Sequence, residues 1–181
     1  MIIARSFLNK TVAVMGLARS GKAAVESLVL GGARVLAWDD DPKRREEISG
    51  IGIEIRDLNE INFKDLDALV LSPGIPHSFP KPHPVAAKAK TFGVPIIGDI
   101  DIFAQNSKNT PIIGVTGTNG KSTTASLIGH ILSHSNISNA VAGNIGRPVL
   151  KISPNPGPDF IVLELSSYQL ELSPSLGCSI A

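Results

Sequence analysis

Short, unbroken apolar runs alternate along this chain with stretches whose apolar residues recur at three- and four-residue spacing. Residues 11–16 (TVAVMG), 34–38, 67–71, 95–97, 111–115 and 160–163 are runs of the first kind, as strands buried on both faces of a parallel sheet read. Residues 140–146 add a strand ending in a glycine-flanked asparagine, Asn144. Spacing of the second kind predicts helices between them. One carries Ala23, Ala24, Leu28 and Val29 and stops at Gly31-Gly32. Others cover 85–92, 99–104 and 121–133, the last with Leu127, Ile128, Ile131 and Leu132. Strands alternating with helices predict an α/β fold with parallel sheets. Pro- and Gly-rich or polar pieces at 77–84, 106–111 (NSKNTP) and 153–158 read as loops, the second as a hinge. Gly98 marks the expected change of domain, giving 1–98 and 99–181. Residues 178–181 read as the opening of another strand, so the second domain is expected to be truncated and the chain a piece of a longer protein.

Composition narrows the setting. The 181 residues are 43% hydrophobic and 18% charged with a formal net charge of +1, a globular profile with no bulk charge to attract nucleic acid or an anionic membrane. The single cysteine, Cys178, has no internal disulfide partner, which suits a reducing compartment. The apolar stretch 12–17 is too short to span a membrane and lacks a signal-peptide cleavage pattern. We expect a cytoplasmic monomer that binds neither nucleic acid nor membrane.

The chemistry concentrates after the run 111–115. Gly117-Thr118-Asn119-Gly120-Lys121-Ser122-Thr123 joins a strand to a helix. Glycines let backbone N–H groups approach phosphate oxygens, and the helix N-terminus adds partial positive charge. Lys121 can reach the outer phosphates of ATP, and the Ser122 hydroxyl can ligate Mg²⁺. The strict phosphate-loop pattern wants glycine five residues before Gly120, where this chain has Val115. Glu164, ending the strand 160–163, stands where a second Mg²⁺ ligand belongs; a helix cap is the alternative.

The N-terminal half carries a second, weaker fingerprint. Gly16-Leu17-Ala18-Arg19-Ser20-Gly21 is G-x-G-x-x-G with Ala18 for the middle glycine. Asp39 follows about twenty residues on, as a ribose-binding acid does, while Asp39–Asp41 before Pro42 also read as a helix cap. Ser72-Pro73-Gly74 suits a type II turn. Ligands of open parallel sheets sit beyond the strand carboxyl ends, so the turns at 16–21, 39–41 and 72–74 are expected to line one crevice. These features predict a Rossmann-like parallel-sheet domain followed by a truncated P-loop ATPase-type α/β domain. His77 and His83 read as exposed loop residues, and His130 with His134 as helix-surface residues rather than metal ligands.

Taken together, Gly117–Thr123, Gly-Asn-Ile-Gly at 143–146 and Leu-Glu-Leu-Ser-Ser-Tyr-Gln-Leu-Glu at 163–171 resemble the N-terminal part of the D-glutamate-adding Mur ligases. Ser-Pro-Gly-Ile at 72–75 and Gly-Asp-Ile at 98–100 support the resemblance, which covers the whole chain. It implies a first domain holding the UDP of UDP-N-acetylmuramoyl-L-alanine and a central domain using ATP and Mg²⁺. The substrate carboxylate is phosphorylated and D-glutamate attacks the acyl phosphate. By position, the resemblance assigns the diphosphate to backbone groups of Leu17, Ala18, Arg19, Ser72, Pro73 and Gly74. Uracil falls to Asp40 and Asp41, and the sugar and its neighbouring groups to Asn144, Ser166 and Gln169. Lys121, Glu164 and Asn144 become the catalytic set, with Ser122 and Glu164 on the metal. The family's downstream His-Met-Asp segment, carbamylated lysine and C-terminal domain have no counterpart in the chain, so the fragment alone is expected to bind UDP but not to ligate.

Three other readings compete. A nicotinamide-dependent oxidoreductase explains Gly16–Gly21 and Asp39 but leaves the phosphate loop and Glu164 idle. A GTP switch lacks its Asn-Lys-x-Asp, since Asn9-Lys10 is followed by Thr11-Val12. A non-catalytic nucleotide-sugar-binding module remains open for a fragment.

Overall fold

The computed structural model describes residues 1–48, 50, 52–107 and 110–181. Two parallel sheets carry the fold. The first contains β1 (Thr11–Met15), β2 (Arg34–Trp38), β3 (Glu54–Ile55), β4 (Ala68–Leu71) and β5 (Ile96–Ile97) in the order β3-β2-β1-β4-β5. The helices α1 (Arg19–Leu30), α2 (Pro42–Glu46) and α3 (Pro84–Thr91) connect these strands. Side chains of a strand alternate between faces, and both faces here are apolar. Val12 and Val14 join Ala24 and Leu28 in one cluster, while Ala13 and Met15 join Phe63, Val85 and Ala89 in another. That double burial explains why these strands read as unbroken apolar runs.

After α4 (Asp99–Asn106), the second sheet is built from β6 (Ile112–Val115), β7 (Asn139–Gly143) and β8 (Phe160–Glu164), with α5 (Lys121–His134) and α6 (Ser167–Glu171). Its order is β6-β8-β7, all parallel. Ile180 forms an isolated parallel bridge to Ile113 on the outer edge of β6. The expected boundary at Gly98 falls between β5 and α4. The core does not divide there: Ile100 and Phe103 of α4 belong to the same apolar cluster as Val12, Leu28, Leu150 and Leu163. Ile2 N donates to Leu150 O at 2.8 Å, and Lys151 pairs with Glu26. The hinge expected at 106–111 lies partly outside the described residues, at Lys108 and Asn109.

Three sequence expectations change. On α5 the buried residues are Ala125 and Gly129, while Leu127 and Ile131 are 55% and 54% exposed. The small residues set the contact: a Cβ at Gly129 would meet Val141 Cγ2 at 2.4 Å. The 72–75 turn closes with Ile75 N donating to Ser72 O at 2.9 Å. Gly74 stays outside the left-handed region that a type II turn requires there; proline at the preceding position serves type I equally well. Finally, His77 and His83 are half-buried. His77 Nε2 lies 2.8 Å from Glu171 on α6, and His83 Nδ1 accepts from Val85 N as the N-cap of α3.

Candidate functional site

The crossover in the first sheet lies between β1 and β4, whose carboxyl ends carry the turns 16–21 and 72–74. The two turns are locked together: Ser72 Oγ donates to Gly16 O at 2.8 Å, and Ser72 N donates to Met15 O at 3.0 Å. A Cβ at Gly21 would lie 1.8 Å from Gly16 O, so only glycine lets α1 begin this close to β1. The α1 N-terminus therefore points at the mouth between the turns, the geometry that favours an anion.

Asp39 ends β2 and is buried. Its Oδ2 accepts from Leu17 N at 2.6 Å, and its Oδ1 accepts from Asp41 N at 2.9 Å. Arg44 Nη1 reaches Oδ2 at 3.3 Å. Burial pushes this carboxyl up, but the two backbone donors and Arg44 outweigh it and hold it below the ordinary aspartate value. Both oxygens thus tie the first two turns together. Asp41 caps α2 by accepting from Lys43 N at 3.0 Å. Asp40 is exposed, with Oδ2 3.6 Å from His83 Nε2.

Two adjoining cavities follow the edge of this sheet and share Ala18, Ser72 and Gly74. One, of about 330 Å³, runs over Met15, Asp40, Arg44, Ile75 and His83. The other, of about 210 Å³, opens between the sheets, with Arg19, Ser20 and Pro73 on one wall and Gly143, Asn144 and Gln169 on the other. Of the residues assigned to a UDP-sugar, Ala18, Arg19, Ser72, Pro73, Gly74, Asn144 and Gln169 line the second cavity and Asp40 the first. Leu17, Asp41 and Ser166 line neither; Leu17 is buried and its N–H is spent on Asp39.

Asn144 and Gln169 both reach the second cavity from the carboxyl end of the second sheet, Asn144 just after β7 and Gln169 on the helix that follows β8. Gly143, at φ +105°, turns the chain out of β7, and Asn144 N donates to Glu164 O at 2.9 Å. Asn144 Nδ2 donates to Glu164 Oε1 at 2.8 Å. Glu164 is 1% exposed, and its Oε2 has no partner. The helix-cap alternative for Glu164 falls away because Ser166 caps α6, in a capping box with Gln169. Gln169 Oε1 accepts from Ser166 N at 3.1 Å, which fixes the amide orientation and leaves buried Nε2 unpartnered.

On the other side of β8, Val115 is in register with Glu164. The turn after it has Gly117 and Gly120 at φ +144° and +78° and leads into α5. Residues 117–120 and Ser122 are exposed. Lys121 Nζ folds back onto Gly117 O at 2.8 Å and Thr118 O at 3.4 Å. The unpartnered Glu164 oxygen beside this loop, with the Ser122 hydroxyl at the start of α5, fits Mg²⁺, which takes one or two carboxylates plus phosphate oxygens and waters. Among the described residues no cluster of three or more His, Cys, Asp or Glu could hold a metal by itself. The rings of His130 and His134 stack on exposed α5 at 6.3 Å.

Sequence reasoning gave no role to Ser20 and Ile75, although both lie inside motifs it singled out, nor to Arg44, which belongs to no motif and reaches its cavity only through the fold. No described helix is long and apolar enough to cross a membrane.

Known proteins match this architecture in both halves. Residues 115–180 match the Mur ligase middle domain. A UDP-N-acetylmuramoylalanine–D-glutamate ligase from Caulobacter sp. (strain K31) is 46% identical over 182 residues, covering 97% of this chain and 39% of that protein. One of the same name from Sphingopyxis alaskensis is 44% identical over 184 residues, covering 100% and 42%. The chain therefore spans about two-fifths of the length of these relatives. Among solved structures, a UDP-N-acetylmuramate:L-alanyl-gamma-D-glutamyl-meso-diaminopimelate ligase from Neisseria meningitides aligns at 20% identity and TM-score 0.49, over 86% of this chain and 52% of that one. Over nearly its whole length the chain is thus similar to about two-fifths of UDP-N-acetylmuramoylalanine–D-glutamate ligases, and its residues 115–180 to the Mur ligase middle domain.

Proposed function

We propose that residues 1–98 bind the UDP end of UDP-N-acetylmuramoyl-L-alanine, and that 99–181 form part of the ATP-binding central domain of an enzyme that adds D-glutamate to it in peptidoglycan precursor synthesis. The supporting observation is the cavity between the sheets. It meets the α1 N-terminus and the 72–74 turn on one side and Asn144 and Gln169 on the other. Asn144 in turn bonds the same Glu164 that stands in register with the strand of the phosphate loop. A UDP-sugar held along the two cavities would keep its base over the first sheet and direct its far end toward Glu164.

The central difficulty of the reaction is charge, because a substrate carboxylate must approach a nucleotide of the same sign. Lys121 answers it with a cation resting on neutral carbonyls, which phosphate oxygens outbid. Ser122 and Glu164 would hold Mg²⁺, which supplies further neutralisation of the phosphates when bound. Asn144 keeps one Glu164 oxygen occupied and the other directed away from it. The exposed N–H groups of the 117–120 turn orient the phosphates. Positioning and electrostatics suffice for this chemistry without an acid–base triad. NMR titration of the chain with UDP, NAD and Mg-ATP tests the first half of this reading. UDP is expected to shift Ala18, Ser72 and Gly74, and a preference for NAD over UDP would overturn it.

A further inference from the structure

Asp99 is a buried carboxyl that the reading above does not use. It opens α4 at 2% exposure, and neither of its carboxylate oxygens has a hydrogen-bond partner. Its neighbour in sequence, Asp101, is equally buried but satisfied: Ser175 N and Gln105 Nε2 each donate to it at 2.8 Å. An unpartnered buried carboxyl costs free energy that folding must offset, so its surroundings call for an explanation.

Those surroundings belong to the cavity between the sheets. The side chains of Ser20 on α1 and Gln169 on α6 face the Asp99 carboxyl, as do the backbone N–H groups of Asp99 and Ile100, none of them in full hydrogen-bond geometry. Ser20 and Gln169 both line the cavity. Gln169 is 3% exposed, and the capping box leaves its Nε2 pointing where Asp99 waits. One carboxyl thus stands behind two polar side chains that come from different helices, α1 and α6.

We propose that Asp99 is a positioning residue: it holds the Ser20 hydroxyl and the Gln169 amide as the rear wall against which the diphosphate-to-sugar part of the ligand rests. The inference depends on the UDP-sugar reading of that cavity. Burial favours the neutral form of Asp99 in this role. Burial pushes its carboxyl up against the opposing pull of Ser20, Ile100 N, its own N and Gln169, and an ionised group there would repel the diphosphate it supports. A neutral carboxyl can accept from Gln169 Nε2 and donate to Ser20 Oγ at once. Nothing in a base-binding role reaches this wall, because the cavity over Asp40 and His83 is lined by other residues.

The test compares Asp99→Asn with Asp99→Ala in the 181-residue chain, measuring affinity for UDP-N-acetylmuramoyl-L-alanine and for UMP by calorimetry. The Gln169 side-chain amide resonances are followed without ligand. Asp99→Asn keeps a neutral donor and acceptor and should stay within about threefold of wild type for both ligands. Asp99→Ala should shift the Gln169 resonances and weaken the UDP-sugar about tenfold. UMP, which ends before the wall, should change less than about threefold. If Asp99→Ala does not fold, Asp99→Ser takes its place with the same expectations. The inference is overturned if the alanine variant binds the UDP-sugar like wild type, if it loses both ligands equally, or if the asparagine variant fails as badly. Wild-type chain that binds neither ligand would instead remove the UDP-sugar reading itself.

Discussion

Gly143→Ala probes the joint between the sugar side and the phosphate side of the site. Gly143 ends β7 at φ +105°, and a Cβ there would lie 2.4 Å from Glu164 O and 3.3 and 3.4 Å from Glu164 C and N. All three are backbone atoms of β8, the middle strand of its sheet, so no side chain can swing aside. Holding alanine in that backbone region costs about 1–3 kcal/mol. Forcing the overlap costs about 1–3 kcal/mol more. The chain should therefore lose about 2–6 kcal/mol in urea unfolding. Gly74→Ala is the control: nothing lies within 4 Å of its Cβ position, and the change should stay within about 0.5 kcal/mol. The same displacement moves Asn144, whose N–H and side chain both bond Glu164, so nucleotide turnover in the full-length enzyme should fall as well. A Gly143→Ala chain within about 0.5 kcal/mol of wild type, or a Gly74→Ala chain equally damaged, would refute the steric argument.

Lys121→Ala in the full-length enzyme should abolish phosphoryl transfer while UDP-sugar affinity, measured by calorimetry, stays within about threefold, one tenfold step being 1.4 kcal/mol; parallel loss of both would join sites argued to be separate. Glu164→Gln should fold normally yet need at least about tenfold more Mg²⁺ for half-maximal rate, since even supporting partners of a metal are worth about 10–100-fold; an unchanged Mg²⁺ dependence would remove Glu164 from the metal. Asp39 has a folded value below its unfolded one, so its stabilisation is complete above about pH 3.9 and is lost as the pH falls through the folded value. Asp39→Asn should therefore be less stable than wild type at pH 7, with the gap closing in acid; a gap independent of pH would mean the charge contributes nothing.

Most strands were legible because each apolar run is short, isolated and buried on both faces. β3, only Glu54–Ile55 on the sheet edge, is too short to leave a pattern. The α5 face was misjudged because spacing weighs large side chains, whereas Ala125 and Gly129 let the helix approach and turn Leu127 and Ile131 outward. At the site, groups adjacent in sequence were readable: Lys121 beside Ser122, and Asn144 between glycines. Groups joined only by the fold were not. Leu17 N is occupied by an aspartate twenty-two residues away, and the Ser166 hydroxyl is spent on the α6 cap. The two histidines at 77 and 83 were placed in solvent because a proline-rich segment reads as surface, although its ends fold back onto Glu171 and α3.

The strand order of the second sheet also fixes when it can be assembled during synthesis. All five strands of the first sheet are available once residue 97 has been made, and β1 finds β2 and β4 within it. β6 is different, because β7 does not touch it and its partner β8 ends only at Glu164. From Val115 to Glu164 a ribosome adds 49 residues, a wait of about 2–10 s at 5–20 residues/s. Throughout that interval Ile112–Val115 is a nascent apolar segment with no sheet to join.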